Sequence, residues 1–162
     1  MNKYVMRAAA ASLVLPMIGL NAPTAVADTT LVLFEHDTVQ YQPDFGPNGP
    51  RPGDQFIFAG DVFDRPGGMF LGTTGGSCTT LTGKPGEEPS ACNGTFNLAG
   101  GQIVVQGLVD DTSALFERGE PHPINIVGGS GIYQNAHGDG TIQIPPDVPN
   151  QTDANFVLNL KG

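Results

Sequence analysis

The chain has 162 residues and a mass of 16.9 kDa, one domain's worth of protein, with 7 Lys and Arg against 16 Asp and Glu for a formal net charge of −9. That balance offers no basic stripe to neutralise phosphates, so it excludes a nucleic-acid binder, and anionic membrane surfaces should repel the chain, so peripheral membrane binding is not expected. Gly at 23 and Pro at 14 show no three-residue period, which excludes a collagen-like chain, and 2 Cys are too few for a zinc ribbon or a disulfide-dense miniprotein.

Residues 1–27 read as a secretory signal peptide. Lys3 and Arg7 form a positive start, Ala8 to Leu20 is mostly apolar but too short to span a bilayer, and Ala25-Val26-Ala27 fits a cleavage site. No Cys follows the apolar run, so a lipid anchor is not expected. Cleavage removes two basic residues and no acidic one, leaving a still more acidic single domain over 28–162. The expected localisation is secreted, or extracytoplasmic.

The rest of the chain reads as strands. Thr29 to Tyr41 is rich in β-branched, aromatic and Leu residues, and Asp44 to Gly53 is a Pro/Gly-dense loop. Gln55 to Asp64 is a second run, with Phe56, Phe58, Val62 and Phe63, closed by Pro66-Gly67-Gly68. Met69 to Thr82 is a third. Gly83 to Ala91 is a hairpin loop, Cys92 to Ala99 a fourth run, and Gln102 to Val109 a fifth after Gly100-Gly101. Asp110 to Pro121 is a polar excursion with room for a helical turn. His122 to Val127 is a sixth run, Gly128 to Gly131 a turn, Ala136 to Pro145 a seventh run and Ala154 to Lys161 an eighth. Phe156, Leu158 and Leu160 alternate with polar neighbours, as strands with one buried face do. Short strands with turn signals every dozen or so residues predict an all-β sandwich or barrel, and spacing alone does not choose between them.

Export also bears on Cys78 and Cys92. They lie symmetrically about Pro85, within the turn signal Lys84-Pro85-Gly86, so a regular hairpin places them face to face. In an oxidising compartment the pair is expected as a disulfide, the alternative being a free reactive thiol.

Gly128-Gly129-Ser130-Gly131-Ile132-Tyr133, followed by Ala136-His137-Gly138, resembles the signature turn and strand of allene oxide cyclases and dirigent proteins. Gly53-Asp54 through Phe63-Asp64 is similar to the cyclases' second strand, Gly101 to Gly107 to their glycine-bracketed strand, and Phe156 to Gly162 to their last one. His36-Asp37 resembles the His-Asp pair of dirigent proteins. The resemblance covers almost all of residues 29–162. It implies an eight-stranded antiparallel β-barrel of calycin type with an apolar lumen, usually a homotrimer. It also implies chemistry that works mainly by holding a reactive molecule in one conformer.

Several family residues do not carry over. The cyclases' first-strand Glu aligns without gaps on Val32, with Glu35 three residues away and therefore expected on the other face. Their second-strand Asn falls on Gly60, and their buried Cys on Cys78. Gln134 and His137 stand where dirigent proteins carry arginines. Genuine allene oxide cyclase activity is therefore not expected, although Asp37 matches the dirigent first-strand acid.

The chemical inventory is short. The histidines are His36, His122 and His137, with no H-x-H or H-E-x-x-H spacing, so neither a metal site nor a cofactor is expected. In His36-Asp37 one side chain should point inward and the other outward. His137 is read either as a group at the barrel mouth or as a solvated loop residue. Asp61 is read as a lumen acid or a solvated hairpin end, and Tyr133 as packing or as a phenol donor. Asp37, Glu35 and His137 are the catalytic candidates, and Phe58, Asp61 and Tyr133 the ligand contacts. No G-x-S-x-G elbow or phosphate loop is present. The leading expectation is a cyclase or isomerase-like barrel acting on a small apolar partner. The rivals are an apolar-ligand carrier and a structural envelope barrel.

Overall fold

Side chains alternate between the two faces of an extended chain, and this alternation turns the eight apolar runs into one two-sided sheet. The computed structural model describes residues 28–43, 51–82, 89–109, 119–146 and 153–161. The expected leader over 1–27, the tip of the Cys hairpin and most of the 110–121 excursion lie outside these residues. The strands are β1 Thr29–Tyr41, β2 Gln55–Phe63, β3 Phe70–Thr80, β4 Ser90–Leu98, β5 Gly101–Val109, β6 His122–Gly129, β7 His137–Gln143 and β8 Ala154–Lys161, with a 3₁₀ turn at Gly131–Tyr133. Consecutive strands pair antiparallel and β8 pairs back onto β1, so the sheet closes into an eight-stranded barrel. Closure, which leaves no open sheet edge, resolves the choice between sandwich and barrel.

The inner strands β2 to β7 start or end one or two residues from the sequence reading, and two of these shifts have reasons visible in the ladder. β4 begins at Ser90 rather than Cys92, because its pairing with β3 runs on to Thr80↔Ser90. β6 runs on through Gly128 and Gly129, which pair with Val104 and Ile103, so half of the expected glycine turn is strand. A side chain at Gly129 would collide with the carbonyl oxygens of Tyr133 and Gln102, and Gly131 has φ 62°, so the turn needs glycine at both places.

The register fixes which residues face inward. Leu31, Leu33, Glu35 and Asp37 of β1 share a face with Val62 and Gly60 of β2 and with Ala154, Phe156 and Leu158 of β8. Val62, Phe96, Ile103, Leu158 and Leu160 are essentially fully buried and fill the middle of the barrel. Phe96 and Phe156 meet edge to face with ring centroids 4.9 Å apart. Each such buried apolar side chain contributes about 1.5–3 kcal/mol relative to exposure.

Antiparallel alternation also sorts the connections. The links β1–β2, β3–β4, β5–β6 and β7–β8 all lie at one end of the barrel and are long. The other three, β2–β3, β4–β5 and β6–β7, are shorter turns at the opposite end. Loop-borne ends on a rigid scaffold are where sites are commonly built.

Candidate functional site

β1 carries two carboxylic acids toward the lumen. Glu35 and Asp37 are two residues apart and therefore share the inner face, while His36 between them points outward with half of its side chain exposed. Glu35 is 2% exposed. Burial pushes its carboxyl up to about 9 from an ordinary 4.5, and the negative charge of Asp37, a hydrogen bond with Asp37 and the charge of Asp153 push in the same direction. At neutral pH Glu35 is therefore a neutral carboxylic acid beside an ionised neighbour. Its Oε1 is buried and has no hydrogen-bond partner among the described residues.

The acid pair is held in place at the edge of a ladder. The β1–β8 pairing ends at Glu35↔Ala154. Next to it Asp153, itself buried, takes over with its side chain. The Asp37 amide donates to Asp153 Oδ1 at 3.1 Å, and His36 Nδ1 lies 3.1 Å from the same oxygen on the outer side. On the other flank β1 bulges between Asp37 and Val39 against β2. Gly60 permits that close approach, because a Cβ there would lie 2.5 Å from the His36 carbonyl oxygen. Gln40 Nε2 donates to Asp37 Oδ2 at 3.3 Å.

The lumen holds a cavity of about 50 Å³ walled by Phe58, Thr74, the Cys78–Cys92 disulfide, Phe96, Ile142 and Phe156 among others. Glu35 and Asp37 do not line it; Asp37 pairs with Gly60, and Gly60 with Thr74 of the cavity wall, so the acid pair stands two strand steps around the barrel from that wall. His122 opens β6 on the inner face, in line with Ile124 and Ile126, and its Nε2 is buried with no hydrogen-bond partner among the described residues. No group of three or more His, Cys, Asp or Glu side chains among the described residues is placed to hold a metal ion.

The structure brings some of the sequence candidates together and separates others. Glu35, Asp37 and Phe58 face the lumen, and Cys78 faces Cys92 and is bonded to it. Val32, where the cyclase acid aligns, is on the outer face and 62% exposed, and Glu35, three residues on, lies on the opposite, inner face as its spacing predicts. Asp61 is not a lumen acid, since it pairs with His36 on the outside of β1–β2. His137 is exposed, pairs with Lys161 on the outer face and has its Nδ1 3.2 Å from the Asn135 carbonyl. Tyr133 packs against the core from the short-turn end, away from the acids. The sequence reading missed two residues. His122 carried a signal, since alternation with Ile124 and Ile126 places it inside. Asp153 carried none, because only the pairing of the chain's first and last strands brings it to Asp37.

The model of the allene oxide cyclase barrel like domain matches residues 34–158. Among solved structures, a pyocyanin demethylase superimposes with a TM-score of 0.67 at 27% identity, over 82% of this chain and 100% of that one. A Diels-Alderase from Streptomyces koyangensis gives a TM-score of 0.66 at 24% identity, over 82% of this chain and 63% of that one. A pterocarpan synthase dirigent protein gives 0.61 at 16% identity, over 85% of this chain and 99% of that one. The last two likenesses are of fold. No curated protein sequence matches the chain. The family match spans most of the barrel and includes the strand that carries Glu35 and Asp37, and the chain belongs to the allene oxide cyclase barrel like family.

Proposed function

We propose that this barrel takes a small, largely apolar molecule in at its long-loop end and steers its cyclisation or isomerisation, with Glu35 as general acid. The observation that carries the proposal is a neutral Glu35 carboxyl buried in an apolar lumen beside Asp37. A carboxylic acid kept protonated at neutral pH can donate a hydrogen bond or a proton where solvated carboxylates cannot. Glu35 gives its proton to an electron-rich atom of the substrate, the π electrons shift, and the Asp37 carboxylate removes a proton from carbon. Passing that proton back to Glu35 restores the pair, so the reaction is redox-neutral and needs no co-reactant. The apolar walls supply the rest by confining the substrate to the reactive conformer. That similar barrels are named as a pyocyanin demethylase and a Diels-Alderase supports the reading of this barrel as an enzyme.

We also read the mature chain as exported. The leader pattern over 1–27 and the pairing of both cysteines into a disulfide support that reading.

One observation favours the structural reading instead. The cavity is only about 50 Å³, and Phe96, Ile103 and Leu158 fill the barrel below it. Substrate uptake therefore requires Phe58 to move aside. Native mass spectrometry of the exported protein, followed by organic extraction, separates the readings. A small apolar molecule at fixed stoichiometry supports the proposal and supplies a class to assay against Glu35→Gln. An empty barrel that also rejects fatty-acid and polyketide ligands contradicts it.

A further inference from the structure

The inner wall at the cavity has an unusual composition. Across β2 to β5 the inward positions form two adjacent rows, Phe58–Gly76–Gly94–Val105 and Phe56–Cys78–Cys92–Gly107. Three of these positions are glycine, and two more are joined in a disulfide that lies along the wall. Neighbouring strands stand about 4.8 Å apart and same-face residues about 6.6–6.8 Å apart along a strand, so the smooth area is about 10 Å by 7 Å. That is the footprint of a fused-ring system. The protein already lays a ring edge there. The Phe58 Cζ is 2.7 Å from where a Cβ of Gly76 would be and 3.7 Å from that of Gly94, so its ring rests on the glycine pair.

Depth argues in the same direction. Phe96, Ile103 and Leu158, all but fully buried, block the axis below this wall. A long alkyl chain has nowhere to extend, whereas a short flat molecule does. The inner face also holds two buried polar atoms without hydrogen-bond partners among the described residues, Glu35 Oε1 and His122 Nε2. Buried polar atoms left unmatched are costly, and a ligand that meets them recovers that cost.

We infer that the lumen ligand is a flat, neutral fused-ring molecule with a hydrogen-bond acceptor on its rim, such as a ring nitrogen or carbonyl, rather than a fatty chain. It lies on the Gly76–Gly94–disulfide wall, with Phe58 turned aside to stack on it and Glu35 and His122 meeting its edge. This inference rests on the reading that the lumen binds a small molecule.

Acridine, a fluorescent three-ring heteroaromatic, and 1-dodecanol, a neutral linear molecule, are the probes, used with the disulfide-bonded mature protein at pH 8. Acridine binding is read by anisotropy, and dodecanol by calorimetry and by displacement of acridine. Gly94→Ala tests the wall, because its Cβ would sit 3.5 Å from Val105 Cγ2, an ordinary contact that the fold accepts. The methyl group intrudes on the ring, and acridine affinity is expected to fall about tenfold while the thermal midpoint holds. Independently of any variant, ring-current shifts on wild-type protein should be largest at the Gly76, Gly94 and Gly107 amides. Dodecanol binding as tightly as acridine, or an unaltered Gly94→Ala, would overturn the flat-ring site and leave the lumen-binding reading standing, whereas shifts confined to the outer groove at Leu108 and Val127 would overturn the flat-ring site and count against lumen binding as well. Rejection of both probes would overturn both.

Discussion

Glu35 and Asp37 place their side chains on one inner face of β1, and the ionised state of Asp37 helps to keep Glu35 neutral. Burial is the larger cause, so the arrangement makes two predictions. Asp37→Asn should lower the Glu35 pKa by removing a charge and altering a hydrogen bond, and Asp153→Asn should lower it less. Carboxyl titration by ¹³C NMR measures both shifts, and an unmoved midpoint in Asp37→Asn would remove Asp37 from the account.

Stability should carry the same signature. An acid whose folded pKa lies above its unfolded value binds its proton more tightly when folded. Its stabilising contribution is full below about pH 4.5 and is lost as pH rises toward about 9. The thermal midpoint of the wild-type protein should therefore fall across that window, and that of Glu35→Gln should fall less. Each 1 kcal/mol of the difference moves the midpoint by about 2–4 °C in a chain of this size. Parallel curves for the two proteins would argue that Glu35 titrates normally.

Asp153 holds a backbone amide where no strand partner remains. Asp153→Ala leaves the Asp37 amide without that acceptor and should cost about 1–3 kcal/mol by chemical denaturation. Asp153→Asn keeps an acceptor oxygen and should cost less. Equal losses in the two variants would place the effect in the charge facing His36 rather than in the amide bond.

The disulfide joins residues 14 apart in sequence. Replacing both cysteines with Ser should lower stability by about 3 kcal/mol if the closed loop acts through the unfolded chain. Intact mass after alkylation should show two labelled thiols only once the protein has been reduced. Two thiols labelled without reductant would refute the bond.

Gly60 and Gly94 are both inner-face glycines, yet they should respond oppositely to one methyl group. Gly60→Ala sets a Cβ against the His36 carbonyl at the β1 bulge and should destabilise by about 1–3 kcal/mol, whereas Gly94→Ala meets ordinary contacts and should change stability little. Thermal unfolding of the two variants side by side checks this contrast.

Much of the fold was legible because alternation and turn residues are local. The first and last strands were placed with the bounds they have, and the symmetry of Cys78 and Cys92 about Pro85 gave their pairing. What sequence could not supply was the sense of each face. Alternation says that Glu35 and Asp37 share a side opposite His36, but the inside is decided by barrel closure between β1 and β8, the longest-range contact in the chain. Asp61 was misread for the same reason, since its side follows from its register with His36. His122 was legible from its alternation with Ile124 and Ile126, and was passed over because metal spacing was the test applied to histidines. Asp153 lies in no alternating run, and its role exists only where the two ends of the chain meet.

The central claim is a neutral Glu35 inside the lumen. Its most direct test is the pH titration of the Glu35 side-chain carboxyl in ¹³C-labelled mature protein, assigned by comparison with Glu35→Gln. The account predicts a midpoint near 9. A midpoint near the ordinary 4.5 would mean an ionised, solvated carboxylate and would contradict the proposed general acid.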